Sequence, residues 1–167
     1  HRYGEVFPEP YAFNYGSVLV KILGLDGKGK MSKSENQNAT LYHSDTDQQI
    51  VDKIKKAKTD TGVPNPDGSK PDFIENLFTL MKLVSDESTV QRFEEQYQAG
   101  GIRYGDMKKQ LGEDMAKFIR PIREKAEAIR SDEKYLKEVM EKGAEKARKS
   151  AQATMLLVRE AMGLNYY

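Results

Sequence analysis

Pro71-Asp72-Phe73-Ile74-Glu75-Asn76-Leu77-Phe78-Thr79-Leu80-Met81-Lys82-Leu83-Val84 decides the fold class. Ile74, Leu77, Phe78, Met81 and Val84 recur at spacings of three and four, which places them on one face of a helix with 3.6 residues per turn. Pro71 suits the first helical position, where its missing N–H would have no partner anyway. An apolar stripe this regular specifies a helix with one side to bury.

The same period continues in both directions. Upstream, Ile50, Ile54 and Ala57 share a face, and Ser44 and Asp47 stand at the spacing of a capping box. Lys53, Lys55, Lys56 and Lys58 crowd the last turns of that helix, where its dipole favours cations. Thr61 to Gly68 is rich in Pro, Gly and Asn and reads as a loop. Downstream, Ser85 or Asp86 caps a helix with Val90, Phe93 and Tyr97 inward, stopped by Gly100-Gly101. A long helix runs from Asp106 to about Arg130 on Met107, Leu111, Met115, Phe118, Ile119 and Ile122, with Pro121 expected to kink it. Ser131 caps a further helix carrying Tyr135, Leu136, Val139 and Met140. Gly143 divides it from a last one with Ala147, Ala151, Thr154, Leu157, Val158 and Met162, which Gly163 ends. Met81, Met107, Met115, Met140, Met155 and Met162 fall at helical spacings and read as core filler. The expected class is mainly α: a helical bundle over residues 44–167, preceded by a short extended segment.

Composition narrows the function classes. The chain has 167 residues, 38% of them hydrophobic, which is enough for one modest core. It has no cysteine, so disulfide scaffolds, zinc knuckles and thiol nucleophiles are excluded. His1 and His43 are the only histidines, and no metal site is expected. No run approaches the roughly 18 apolar residues of a membrane span. With a net charge of +1, any nucleic-acid binding must come from local patches.

The front third differs from the rest. Residues 1–16 mix aromatics and turn formers without a period. Ser17 to Leu23 is a short β-branched run that reads as a strand. Gly24-Leu25-Asp26-Gly27-Lys28-Gly29-Lys30-Met31-Ser32-Lys33-Ser34-Glu35-Asn36 follows, with three glycines and three lysines. Glycine costs the most backbone entropy to order, so residues 26–36 are expected to form a poorly ordered loop. So short a front part cannot cover both faces of a sheet, and it reads as the edge of an incomplete domain.

Lys30-Met31-Ser32-Lys33-Ser34 is where chemistry concentrates. Two ammonium groups three residues apart, with hydroxyls between and after them on a glycine-rich backbone, suit a polyphosphate. On a flexible loop they can move onto charge that develops in phosphoryl or nucleotidyl transfer. From the residues alone a solvated basic turn is the default reading of such a loop. The glycines do not have the P-loop spacing.

This five-residue word resembles the signature loop of the class I aminoacyl-tRNA synthetases. The resemblance extends to the tryptophan-specific bacterial branch through Tyr3-Gly4-Glu5-Val6-Phe7, Phe13-Asn14-Tyr15-Gly16 and Ile54-Lys55-Lys56-Ala57-Lys58-Thr59-Asp60. It continues through Leu111-Gly112-Glu113, Pro121-Ile122-Arg123-Glu124, Gly143-Ala144-Glu145-Lys146-Ala147-Arg148 and Met162-Gly163-Leu164. It implies that residues 1–43 end a Rossmann-like catalytic domain and that 44–167 form the anticodon-binding helices. It implies a cytoplasmic, homodimeric parent that activates tryptophan with ATP and Mg2+ and charges tRNA(Trp). Lys30 and above all Lys33 would act as the catalytic groups on the leaving pyrophosphate. Lys30, Met31, Ser32, Lys33, Ser34 and Ile22 would bind ATP. The family's His-Ile-Gly-His-type word is absent, as is most of the nucleotide-binding sheet. The chain is therefore expected to be a C-terminal portion that is inactive alone and needs no cofactor of its own. A tyrosine-specific relative, or a non-catalytic helical RNA-binding module, stays open.

Charge adds one expectation. From Lys117 to Lys149 there are eleven basic and seven acidic residues. That excess suits modest, salt-sensitive RNA contact and suits plain solvation as well.

Overall fold

The structure, a computed structural model, describes residues 3–13, 16, 20–62, 65 and 68–164. Its helices are α1 (Asp47–Lys55), α2 (Asp72–Val84), α3 (Glu87–Gln98), α4 (Tyr104–Ser131) and α5 (Glu133–Met162), with a 3-10 turn at Gln37–Ala39. No strand forms among the described residues. The extended run contributes a single antiparallel bridge, Leu23 to Lys30. Residues 17–19 of that run lie outside the described residues, as do His1, Arg2, Asn14 and Tyr15.

Residues 20–126 make one compact unit, and residues 1–19 with 127–167 make another. The first holds the main core. Ile50 and Ile54 of α1, Ile74, Leu77, Phe78, Leu80 and Met81 of α2, Val90, Phe93 and Tyr97 of α3, and Met107, Leu111, Met115 and Ile119 of α4 are buried together. Each such side chain contributes roughly 1.5–3 kcal/mol by leaving water. Phe78 and Tyr97 meet edge to face, centroids 6.0 Å apart. Gly112 lets α4 approach α1, since a Cβ there would lie 3.3 Å from Val51 Cα. Residues 20–43, expected as the end of a catalytic domain, lie in this same unit: Leu25 and Ala39 are buried in its core.

Local signals placed some ends wrongly. The cap of α1 is Thr46, in a full capping box with Gln49, and not Ser44. The Ser44 spacing fails because the Thr46 hydroxyl and the Gln49 side chain already exchange bonds with each other's backbone N–H, which starts the helix at Asp47. Asp132, not Ser131, caps α5. In α4, Phe118 and Ile122 are exposed, although the stripe includes them. Both flank Ile119, the last buried residue of the helix.

In the second unit, α5 runs unbroken through Gly143, where the sequence suggested a division. A Cβ there would meet nothing within 4 Å. An exposed glycine costs a helix only about 1 kcal/mol, too little to break one of this length. No residue of α5 is buried, so Met140, Met155 and Met162 are not core filler. Its C-terminal end meets the front segment: Tyr3, Val6 and Phe7 enclose a cavity of about 360 Å³ with Val158, Ala161 and Met162. Gly163 ends the helix at φ 72°, the left-handed conformation glycine tolerates.

Candidate functional site

The lysine loop is folded, against the expectation of disorder. Its first half is a tight turn closed by the Gly24 N–H on Gly29 O at 3.3 Å and the Met31 N–H on Ile22 O at 3.0 Å. Leu25 at its tip is buried, donates its N–H to Ala39 O and accepts one from Lys58. Gly27 is required here: its φ is +73°, and a Cβ would stand 2.7 Å from Phe73 Cβ. These contacts compensate the ordering entropy that the sequence alone left unanswered.

Polar side chains complete the loop. Asp26 accepts the Lys28 N–H at 3.1 Å and the Asn36 side-chain amide at 3.1 Å. The Lys28 N–H first, then Asn36, holds this carboxyl below the ordinary aspartate value. Asn76 of α2 is buried and bonds both backbone groups of Leu23: it accepts the N–H at 2.8 Å and donates to the carbonyl at 3.0 Å. Thr40, also buried, donates its hydroxyl towards Ser32 O at 3.0 Å and Asn36 O at 3.1 Å. The hydroxyls of Ser32 and Ser34 are 3.0 Å apart.

Lys30 and Lys33 are exposed, and among the described residues neither ammonium stands in an ion pair. Beside the loop runs a groove of about 530 Å³ whose walls include Ile22, Met31, Ser32, Lys33, Leu83 and Phe118. The structure thus brings Ile22, Met31, Ser32 and Lys33 to one opening. Lys30 faces a narrow crevice with Asp26 and Glu35 instead, and Ser34 lines neither. The arrangement presents an apolar wall and an unpaired ammonium to a ligand with a flat apolar part and an anionic part.

Sequence reasoning missed Asn76 and Thr40. Asn76 carried a signal, a lone polar residue four before Leu80 on the buried side of α2. Thr40 carried none. Lys53, one of the cations in the last turns of α1, is also engaged in specific contacts: it pairs with Asp45 at 2.7 Å, donates to Thr40 O and lies over the Tyr42 ring. Arg120 and Arg123 of the long basic helix both grip Asp47, at 2.6 and 2.7 Å. Lys108 donates to Ala57 O at 2.7 Å behind α1. No group of three or more histidine and carboxylate side chains is placed to hold a metal ion among the described residues, and none of their helices is long and apolar enough to cross a membrane.

The family profile for class I tRNA synthetases (W and Y) matches residues 1–120. The tryptophan–tRNA ligase of Porphyromonas gingivalis is 43% identical over 159 residues, 95% of this chain and 48% of that protein. That of Chlamydia caviae is 35% identical over 98% of this chain and 46% of its own length. A crystal structure of tryptophanyl-tRNA synthetase from Campylobacter jejuni, complexed with ADP and tryptophan, superposes with a TM-score of 0.71 at 32% identity, covering 97% of this chain and 49% of that one. The chain spans about half the length of the curated relatives it matches.

Proposed function

Since the chain belongs to the class I tRNA synthetases of the tryptophan and tyrosine group, we propose that it works as part of a tryptophan–tRNA ligase. The intact enzyme joins tryptophan to the α-phosphate of ATP, releases pyrophosphate, and passes the aminoacyl group to tRNA(Trp). The relatives reported above are tryptophan enzymes, which favours tryptophan over tyrosine.

The observation that carries this reading is the position of Lys33, exposed and unpaired at the mouth of a groove that Ile22 and Met31 also line. Adenine fits the apolar wall, and the phosphates extend towards the ammonium groups. Negative charge builds on the bridging and terminal oxygens as pyrophosphate leaves. Cations that meet that charge more closely in the transition state than in bound ATP lower the barrier. Lys33 is assigned this role, with Lys30 as a second cation approaching from the crevice side. Ser32 and Ser34 offer hydroxyl donors beside them. Mg2+ belongs with the nucleotide phosphates and offsets part of the same charge. Lys134, Lys137, Lys142, Lys146, Arg148 and Lys149 of α5 stand on an exposed helix and supply the RNA-facing charge.

The test is ATP–pyrophosphate exchange by an intact synthetase carrying this sequence. Exchange that depends on tryptophan, and that tyrosine does not support, is the expected result. Exchange with tyrosine alone would reject the tryptophan assignment. The isolated chain is expected to give no exchange, and parent-like turnover from it would show that the other half is dispensable.

A further inference from the structure

The two ends of the lysine loop are held by different kinds of bond. The entry is fixed. Asn76 uses one acceptor and one donor on the N–H and the carbonyl of Leu23, and each is already committed. Leu23 is in turn bridged to Lys30, and the Met31 N–H closes on Ile22 O. The backbone of Lys30 is therefore tied to α2.

On the exit side Asn36 is bonded to Asp26, but the Ser32 carbonyl before it is held by one hydroxyl. Thr40 carries a single hydroxyl proton but faces two carbonyl oxygens at nearly equal distance, Ser32 O at 3.0 Å and Asn36 O at 3.1 Å. Asn36 O also accepts the Ala39 N–H, at 3.0 Å. Among the described residues no other donor reaches Ser32 O. When the proton turns to Ser32, the segment bearing Lys33 is held against the buried Thr40. When it turns to Asn36, Thr40 keeps a hydrogen bond and the released Ser32 carbonyl, half-exposed, goes to water. Neither position leaves a buried polar group without a partner, which is the usual penalty that pins such a segment.

We propose that Thr40 is a positioning residue for the reaction, a two-way latch that holds Ser32-Lys33-Ser34 in the receiving position and lets it go without orphaning its own hydroxyl. Lys30 stays while Lys33 moves. This rests on the functional reading above, in that Lys33 must meet the phosphates.

The latch is tested with Thr40→Val, which keeps the buried shape and removes the proton, and Thr40→Ser, which keeps the proton. Nitrogen-15 relaxation on the isolated chain reads the loop directly. Thr40→Val should increase the mobility of Ser32 to Ser34 and leave the Met31 and Leu25 amides unchanged, and Thr40→Ser should match wild type. In an intact synthetase carrying this sequence, Thr40→Val should raise the KM for ATP in exchange by about three- to tenfold, the worth of one hydrogen bond. Thr40→Ser should stay within about twofold, and both should melt close to wild type. Unchanged mobility in Thr40→Val, or equal losses in both variants, overturns the latch. Lys33→Ala is the control: if it too leaves exchange intact, the role of Lys33 fails, while the mobility result still decides for or against the latch.

Discussion

Asn76→Leu tests the polar anchoring of the loop entry. The new side chain is apolar and branches at Cγ as asparagine does, but it is bulkier, so the core around α2 must shift slightly to accept it, and exchange at Met31 separates that packing cost from the loss of the anchor. What disappears is a pair of hydrogen bonds, 2.8 Å from the Leu23 N–H and 3.0 Å to the Leu23 carbonyl. Each is worth about 0.5–1.5 kcal/mol, and a buried group left unpaired costs about 1–3 kcal/mol. Leu23 is half-buried, so water repays part of the loss. The net expectation is about 2–3 kcal/mol, which lowers the melting temperature of a chain this size by about 4–12 °C. Thermal denaturation followed by circular dichroism reads the total. Amide hydrogen exchange at Met31 reads the place, since its bond to Ile22 O is the next rung from the lost anchor. Faster exchange at Met31 with the core amides of α3 unaltered is expected. An unchanged melting temperature together with unchanged Met31 protection would refute the claim that Asn76 fixes the loop entry.

Other expectations follow from neighbouring features. The Asp47 carboxyl is held below its usual value of 3.8 by the hydrogen bond from Arg123, then that from Arg120. A depressed carboxyl adds stability that is present above its unfolded value and is lost as pH falls through the folded one. Asp47→Asn should therefore flatten the fall of melting temperature below about pH 4 and change little in the slope near neutrality; an identical acid profile would argue that both arginines are idle there. Gly27→Ala should destabilise by about 1–3 kcal/mol through its positive φ and its crowding against Phe73, measurable by urea denaturation, and a neutral result would contradict the close approach. Lys108→Met should cost about 1–2 kcal/mol, because the ammonium that caps Ala57 O is lost while the stem still packs; an unchanged midpoint would deny the cap any weight.

Periodicity made the core legible and little else. Ile74, Leu77, Phe78 and Met81 are buried where the stripe placed them, as are Ile50, Ile54, Val90, Phe93 and Tyr97, because each helix of that unit has a neighbour to pack on. The same stripe in α5 does not report burial, since a pattern shows which face is apolar and not whether anything covers it. Gly143 shows the limit of breaker rules in an exposed helix. The chemistry-bearing word was readable because its residues are contiguous. Its support was not: Asn76 is 53 positions from Leu23, and Lys53, Arg120 and Arg123 find carboxylates or carbonyls that only the folded chain brings near. The loop read as disordered for the same reason, as its tip is held by residues from Ala39, Lys58 and Phe73.

Lys33→Ala in an intact synthetase carrying this sequence puts the whole account at risk in a single experiment. Lys33 is exposed and makes no ion pair among the described residues, so folding should be untouched. Tryptophan-dependent ATP–pyrophosphate exchange should fall by about a hundredfold or more, the usual worth of one group that meets charge in a transition state, while the affinity for tRNA changes little. An exchange rate equal to that of the unaltered enzyme would mean that the ammonium never meets the departing pyrophosphate.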